Sequence, residues 1–281
     1  MTVLQSFPPE ICSLICQDSI LERLDLNAIC FISHAFRNEA QRELSRCFPC
    51  LRDDSHVKAW CLSLKRRPRL AKKIRGLALL LPRPSAFRAA EVERLTRSLH
   101  MCVNLKELSV LFQVSHRRRP GLHEYMYSSS THMLSSVAHR FKLTKFVNGY
   151  FAQDCFCFTS FLNSQPNLES LELHSSSSGN LSFRVSPLHC LKSLGCSPQF
   201  LDKRYCMTKL RLDFGSSEYE CEIEVLGEVL SKKLNKNMKS LALFLKQRQS
   251  HFPEIIRVIA ARNIFIQHLE IHQFFPTQVR P

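Results

Sequence analysis

The segment Asn167-Leu168-Glu169-Ser170-Leu171-Glu172-Leu173 carries the pattern that decides the fold of this 281-residue chain. Its leucines stand two or three residues apart, which is the spacing of a short strand that buries one face. Similar phrases recur as Asn104-Leu105-Lys106-Glu107-Leu108, Met238-Lys239-Ser240-Leu241-Ala242-Leu243 and Ile266-Gln267-His268-Leu269-Glu270-Ile271. From residue 77 onward, the chain is therefore predicted to consist of related strand units.

The pattern predicts short strands that alternate with longer amphipathic segments. The predicted strands are Leu77–Leu81, Glu107–Phe112, Leu143–Val147, Leu168–Leu173, Cys190–Leu194, Lys209–Asp213, Ser240–Leu245 and Gln267–Ile271. The predicted helices are Ala89–Leu99, Thr131–Phe141, Glu222–Leu234 and Phe252–Ala261. Parallel strands need crossover helices of about this size. The prediction is a curved α/β solenoid with strands on one side and helices on the other.

The first forty-four residues show a helical pattern instead. Phe7-Pro8-Pro9-Glu10-Ile11 places its prolines in a first helical turn, where a missing N–H costs nothing. Asp25 is a predicted N-cap for a second helix, and a third helix ends at Leu44. The apolar positions of this unit are Ile11, Leu14, Ile15, Leu26, Ile29, Ile32 and Phe36. Because so short a unit cannot bury every apolar side chain, we expect part of this stripe to contact a partner or the next domain.

Composition limits the classes of protein. Hydrophobic residues make up 44% of the chain, which is enough for globular packing, and only 7 glycines argue against phosphate-binding glycine loops. No apolar run is long enough to cross a bilayer, and no secretory signal is visible. The 13 cysteines are odd in number and scattered, which is typical of reduced intracellular thiols. We expect a cytoplasmic or nuclear protein, or one found in both compartments.

The net charge of +15 is unevenly distributed. Residues 61–150 hold 18 Lys/Arg against 4 Asp/Glu, and two clusters dominate, Lys65–Arg75 and Arg117–Arg119. Such clusters are typical of proteins that bind acidic partners or nucleic acid, or of a nuclear import signal. The alternative is a solvated helix face followed by an exposed loop. Aromatic side chains that could stack on bases are not interleaved with the cations, which disfavours nucleic acid.

These motifs together resemble the large basidiomycete-type group of fungal F-box proteins with degenerate leucine-rich repeats. The resemblance is carried by Phe7–Ile11, Phe31–Ala40, Arg66–Leu79, Phe161–Leu171 and Leu191–Pro198. The chain departs from the group in three places. Cys16–Leu24 is longer and more polar than usual, which puts Ile20, Leu21 and Leu24 in question as contacts, and Cys47–Cys50 replaces the usual link after the third helix. The chain also stops at Pro281 without a capping unit, as a shortened member, a fragment or a gene-model product would.

The resemblance implies an N-terminal three-helix F-box at residues 5–50, a basic helical linker at 51–76 and a leucine-rich-repeat-like domain at 77–281, truncated at its C-terminal end. It also implies a non-catalytic substrate-recognition subunit of an SCF-type cullin–RING ubiquitin ligase. Such a subunit would be monomeric within a hetero-complex, and we expect it to bind neither a cofactor nor a membrane. The F-box would bind a Skp-type adaptor, and the repeats would bind an unknown protein target. The expected adaptor contacts are Phe7, Pro8, Pro9, Ile11, Ile15, Leu26, Ile29, Ser33 and Phe36. The alternatives are a nucleic-acid-binding or nuclear-targeted protein that uses residues 61–150, and a decayed F-box protein without a target.

Two other kinds of site are disfavoured. Cys47, Cys50, His56 and Cys61 are residue types that bind zinc. A second close pair of ligands is absent, however, and the spacing fits no familiar zinc module. The chain has no GxSxG, HExxH, GxGxxG or P-loop motif, so we do not expect an enzyme.

Overall fold

A single sheet of eight parallel strands follows the N-terminal helices of the chain. The computed structural model describes residues 7–18, 21, 23–46, 51, 53–81, 89–112, 129–151, 156–174, 188–197, 207–214, 238–245, 252–261 and 266–273. The predicted fold class is confirmed: a helical segment precedes an α/β region whose parallel sheet is consistent with a leucine-rich-repeat-like solenoid.

The N-terminal unit contains α1 (Pro9–Cys16), α2 (Arg23–Ile29) and α3 (His34–Arg46). Pro9 occupies the first turn of α1, as predicted, and Glu10 lies in the same turn. The Ser33 hydroxyl accepts a hydrogen bond of 3.3 Å from the Phe36 N–H and so caps α3. The small core of this unit consists of Cys12, Cys16, Phe36 and Ala40.

The remaining elements alternate between helix and strand over most of the described chain. The helices are α4 (Asp54–Arg66), α5 (Pro68–Ala71), α6 (Ala89–Met101), α7 (Ser129–Val137), α8 (Phe156–Asn163) and α9 (Phe252–Ala261). The strands are β1 (Gly76–Leu81), β2 (Glu107–Phe112), β3 (Lys145–Gly149), β4 (Ser170–Leu173), β5 (Ser193–Cys196), β6 (Lys209–Phe214), β7 (Ser240–Leu245) and β8 (His268–Gln273). The predicted helix Glu222–Leu234 lies outside the described residues.

The predicted starts of three strands were two or three residues too early, and the predicted ends of β3, β5 and β8 were two residues too early. Strands β3, β4 and β5 begin at Lys145, Ser170 and Ser193, not at Leu143, Leu168 and Cys190. The apolar residues that misled the prediction lie two positions before each strand and are buried in the solenoid core; they are Leu143, Leu168 and Leu191. They fill the core from the turn that leads into the strand, so their burial does not mark strand structure.

One backbone arrangement repeats at every step of the sheet and sets its register. The carbonyl of the residue before a strand accepts hydrogen bonds from two successive N–H groups of the next unit. The Arg75 carbonyl, for example, binds the amides of Lys106 and Glu107 at 2.7 and 2.9 Å, and the Lys239 carbonyl binds those of Gln267 and His268 at 2.9 and 3.0 Å. The first residues of all eight strands therefore lie side by side, and neighbours in sequence are neighbours in the sheet.

The core of the solenoid follows from that register. In β1 to β7 the second and fourth residues of the strands point into it, and most of them are leucine, whereas in β8 Ile271 packs against the core and Leu269 is 43% exposed. The other face of the sheet, which we call the open face, carries the first, third and fifth positions, and most of these are at least partly exposed. The alternation is the period of two that one buried face imposes on a strand.

Helices α4 and α5, predicted as a basic linker, belong to the same core. Val57, Trp60, Leu64 and Ala71 are buried in it. The Asp53 carboxylate caps α4 by accepting a hydrogen bond of 2.8 Å from the His56 N–H. None of the described helices combines the length and the apolar composition needed to cross a membrane.

Candidate functional site

Exposed large apolar side chains are concentrated on the N-terminal helices. Among the described residues eleven such side chains are exposed, and seven of them lie between residues 7 and 32. We call these seven the N-terminal apolar surface: Phe7, Ile11, Leu14, Ile15, Leu24, Phe31 and Ile32. Exposed apolar groups concentrated on one small unit favour an interaction site there, whereas single ones need no explanation.

The rotation of α1 explains why its largest apolar residues are exposed. Cys12 and Cys16 are 1% and 2% exposed and lie one turn apart on the buried side of the helix. They belong to one core cluster with Phe36 and the fully buried Ala40 of α3. The small side chains of Cys12, Cys16 and Ala40 let the two helices approach closely. Burial is the largest cause of the raised pKa of the Cys16 thiol. As a consequence, α1 presents its bulkier aliphatic residues to solvent.

The residues predicted to bind an adaptor fall into two groups. Those before and on α1 are exposed, namely Phe7, Pro8, Pro9, Ile11 and Ile15. Those on or near α2 and α3 serve the fold: Leu26 and Ile29 are partly buried against the small core, Phe36 is within it, and Ser33 caps α3 while remaining exposed. The Phe7 ring meets the Phe36 ring edge-on at 5.9 Å, so it is anchored even though 59% of Phe7 is exposed.

Four members of the N-terminal apolar surface were not among the predicted contacts, namely Leu14, Leu24, Phe31 and Ile32. Leu14 stands three residues after Ile11, and helical spacing alone places both on one side of α1. Phe31 and Ile32 lie in the connection between α2 and α3 and are 83% and 65% exposed. The sequence does contain a signal for this exposure. Two large apolar residues stand side by side in a short connection, and only one of them could have faced inward.

A polar network on the open face of the sheet forms a second arrangement of interest. The Arg211 guanidinium of β6 donates to the Glu172 carboxylate of β4 at 2.9 Å and to its own strand's Asp213 at 3.2 Å. It also lies 3.9 Å from the centre of the Phe244 ring of β7, and that ring stacks on His272 of β8 at 4.5 Å. Arg211 is therefore held by ion pairs and a cation–π contact from both sides.

Gly195 leaves the space in which Arg211 reaches Glu172. A Cβ at this position would lie 3.1 Å from the Glu172 side chain, so a larger residue would push the carboxylate away. A hydrogen bond with His174 is the largest of the effects that lower the pKa of Glu172, and the charges of His174, Arg211 and Lys145 act in the same direction. Glu172 is therefore held in its ionised form, as a partner for cations.

The basic cluster at Lys65–Arg75 is exposed except at its apolar positions. Lys65 and Arg66 lie in the last turn of α4, where cations interact favourably with the negative end of the helix dipole. This placement agrees with a solvated helix face, the alternative considered from the sequence. The cluster Arg117–Arg119 lies outside the described residues.

The zinc candidates are only partly described. His56 is exposed, and its Nδ1 atom lies 2.8 Å from the Asp53 carboxylate, whereas Cys61 is 3% exposed within the solenoid core. The two side chains therefore face different environments, while Cys47 and Cys50 lie outside the described residues. Within the described part of the chain, no group of three or more His, Cys, Asp or Glu side chains could hold a metal ion.

The buried thiols are unsuited to nucleophilic chemistry. Burial raises the pKa of Cys61 and Cys196, and raises that of Cys102 to about 12, so each of these thiols stays protonated at neutral pH. A reactive cysteine needs the opposite environment, one that stabilises the thiolate.

No protein-family model matches the sequence, and no curated protein matches it.

Proposed function

We propose that this protein is a non-catalytic substrate-recognition subunit of an SCF-type cullin–RING ubiquitin ligase. In this proposal the N-terminal helices act as an F-box that binds a Skp-type adaptor, and the repeat sheet binds the protein to be modified. The observation that carries the proposal is the N-terminal apolar surface, which holds seven of the eleven exposed large apolar side chains of the described chain.

The physical argument is one of unsatisfied burial. The three helices bury only a small core, and the side chains that remain in water are the kind that anchor protein interfaces when a partner covers them. Ile11 and Ile15 are 40% and 39% exposed, so covering each would contribute about 1 kcal/mol. A partner that covers the whole surface would gain several kilocalories per mole from apolar burial, before the cost of association.

The sequence motifs are the reason that we propose a Skp-type adaptor as that partner. Phe7–Ile11 and Phe31–Ala40 resemble the F-box signatures, and they contain four of the seven residues of the N-terminal apolar surface. Leu191–Pro198 and Phe161–Leu171 resemble the repeats of the same fungal group, and they span β5 and the connection from α8 into β4. The protein would act in the cytoplasm, the nucleus or both, as one chain within the ligase complex.

The proposed role requires no chemistry from the chain itself. By holding the adaptor at one end and a target at the other, it would raise the effective concentration of the target at the ligase. Ubiquitin transfer would be performed by other subunits. The open face of the sheet is the surface we assign to the target, because helices cover the opposite face.

Truncation of two exposed residues of α1 tests the adaptor interface. We expect Ile11→Ala with Ile15→Ala to weaken binding of a purified Skp-type adaptor by roughly thirtyfold, because about 2 kcal/mol of apolar burial is lost. Isothermal titration calorimetry measures the affinity, and circular dichroism checks that the helices remain folded.

The matched control is Leu62→Ala with Val103→Ala. These residues are 48% and 45% exposed, so the loss of apolar surface is comparable, but they lie outside the N-terminal helices. The control should bind the adaptor as the unmodified protein does. Equal affinity of all three proteins, or no measurable binding by the unmodified protein, would refute the adaptor assignment.

A further inference from the structure

The edge of the sheet at which the strands begin carries a row of exposed cations. Six of the eight strands have a lysine or arginine either as their first residue or immediately before it. We call this row the basic edge: Arg75, Lys106, Lys145, Lys192, Lys209 and Lys239. Only β4 and β8 lack such a cation, and β4 is preceded by Glu169 instead.

The register of the sheet fixes the backbone positions of this row. The first residues of the strands lie side by side, and the residues before them are joined by the repeated carbonyl hydrogen bonds. Since neighbouring strands lie about 4.8 Å apart, the row from β1 to β7 extends over roughly 29 Å. The backbone beneath the cations is therefore fixed before any partner arrives.

Most cations of the basic edge form no ion pair in the described part of the chain, although the charge of Lys145 helps to lower the pKa of Glu172. Within it, Arg75, Lys106, Lys145, Lys209 and Lys239 have no carboxylate at ion-pair distance. Among the described cations of the row, Lys192 is paired with Glu169 at 2.9 Å, and the two side chains are 65% and 48% exposed. The carbonyls along this edge already accept backbone hydrogen bonds, so the lysines are not needed to satisfy them.

The row has a clear excess of positive charge. Its six cations are accompanied by two carboxylates, Glu107 and Glu169, which leaves a formal excess of four. Like charges this close repel one another, and a partner with the opposite charge relieves that repulsion. Lys145 and Lys209, which are first residues of their strands, share the open face with the Arg211 network, which adds the carboxylates of Glu172 and Asp213 further along the strands. The charge therefore changes from positive at the starts of the strands to negative further along them, which would restrict an acidic ligand to the basic edge.

The residue types indicate what kind of acidic ligand fits. Five of the six cations are lysines, which are mobile point charges able to follow an irregular series of carboxylates. The row contains no aromatic side chain on which a base could stack, and single-stranded nucleic acids rely on such contacts. The two interspersed carboxylates also interrupt the row, which disfavours a continuous phosphate backbone.

We propose that the basic edge binds an extended protein segment rich in aspartate and glutamate. Within the proposed function, on which this part of the inference rests, the segment would belong to the target delivered to the ligase. The binding itself does not depend on the adaptor. Its test therefore uses the full chain without adaptor, and it can fail or succeed independently of the test on α1.

The test measures binding of a fluorescent glutamate-rich peptide of about ten residues, which can reach along the row when extended. Lys106, Lys145, Lys209 and Lys239 are replaced together by glutamine. The control replaces Arg66, Arg94, Arg97 and Arg257 by glutamine; these exposed residues lie on helices α4, α6 and α9. Both variants lower the net charge by the same amount, so a difference between them reports position, not total charge.

Fluorescence anisotropy should show a Kd at least about tenfold higher for the basic-edge variant and less than about twofold higher for the control. Raising the salt from about 50 to about 300 mM should remove most of the difference, because the contacts are exposed. The partial variant Lys145→Gln with Lys209→Gln should lie between the two, and it provides the same comparison if circular dichroism shows that the quadruple variant is unfolded.

Two results would overturn the proposal. Equal weakening in the basic-edge and control variants would show only general charge attraction. Tighter binding of a labelled oligothymidine, lost in the basic-edge variant, would identify the row as a nucleic-acid site instead.

Discussion

Asn148 provides the sharpest test of how the solenoid is held together. It is the fourth residue of β3, a position at which the flanking strands place Val110 and Leu173, and it is fully buried. Its Oδ1 atom accepts hydrogen bonds from the backbone N–H groups of Tyr150 and Phe151 at 3.2 and 2.9 Å. Its Nδ2 atom donates to the Phe151 carbonyl at 2.9 Å. One side chain therefore satisfies three backbone groups of the turn that follows the strand.

The substitution Asn148→Leu keeps the number and branching of the side-chain heavy atoms but removes all three hydrogen bonds. Each buried backbone group left without a partner costs about 1–3 kcal/mol, while the leucine recovers part of this by burying more apolar surface. We expect the free energy of unfolding to fall by about 3 kcal/mol, which is a large share of the stability of an ordinary domain.

Urea unfolding measures this loss through the fluorescence of Trp60, which is the single tryptophan of the chain and is buried in the solenoid core. The control is Asn104→Leu, which removes one exposed hydrogen bond of 2.6 Å to the Lys72 carbonyl and should cost less than about 1 kcal/mol. A loss of under about 1 kcal/mol for Asn148→Leu, or one equal to the control, would refute the reasoning, because the turn would then be satisfied in another way.

Two further predictions concern the core and the open face. Phe146→Ala should lower the free energy of unfolding by about 3–5 kcal/mol, because the ring is fully buried and lies 6.2 and 5.1 Å from two phenylalanine rings of α8. Phe156→Ala, at a residue that is 85% exposed, should change it by less than about 0.5 kcal/mol, and similar losses in the two variants would contradict the described packing. The lowered pKa of Glu172 should contribute stability above its ordinary value of 4.5, and this contribution should be lost as the pH falls through the lower pKa of the folded state. Chemical unfolding across this pH range should therefore show the free energy of unfolding of Glu172→Gln converging with that of the unmodified protein in acid. Glu169→Gln, at an exposed surface pair, should change this free energy little at any pH. A difference between Glu172→Gln and the unmodified protein that stays constant with pH would argue against the ionised pair.

The strand units were predictable because their signal is local. Leucines at alternating positions, as in Ser240–Leu245, can be buried together only if the backbone is extended and one face is covered. That argument needs no knowledge of the neighbouring unit. It failed at the starts of β3, β4 and β5, because a leucine in the turn before the strand is buried as completely as one inside it.

The composition of the N-terminal apolar surface was less predictable from the sequence than the strand units. Ile11 and Ile15 share a helical stripe with Leu14, and periodicity alone does not say which members of such a stripe face inward. The structure buries Cys12 and Cys16 instead, since the side of α1 that meets α3 is chosen by the fit between the two helices. Likewise, Phe36 was predicted as a contact, but it fills the small core, where its ring supports Phe7. Whether these residues bind an adaptor stays a prediction.

By itself, the sequence determined that this protein has a helical N-terminus followed by strand–helix units, because those features depend on residues a few positions apart. Only the tertiary structure decided which apolar residues remain in water, why Asn148 occupies a leucine position, and that successive cations 17 to 47 residues apart in sequence form one row. These outcomes depend on contacts between distant elements. The register of the sheet brings Lys106 and Lys239 onto one edge, and no local pattern contains that information.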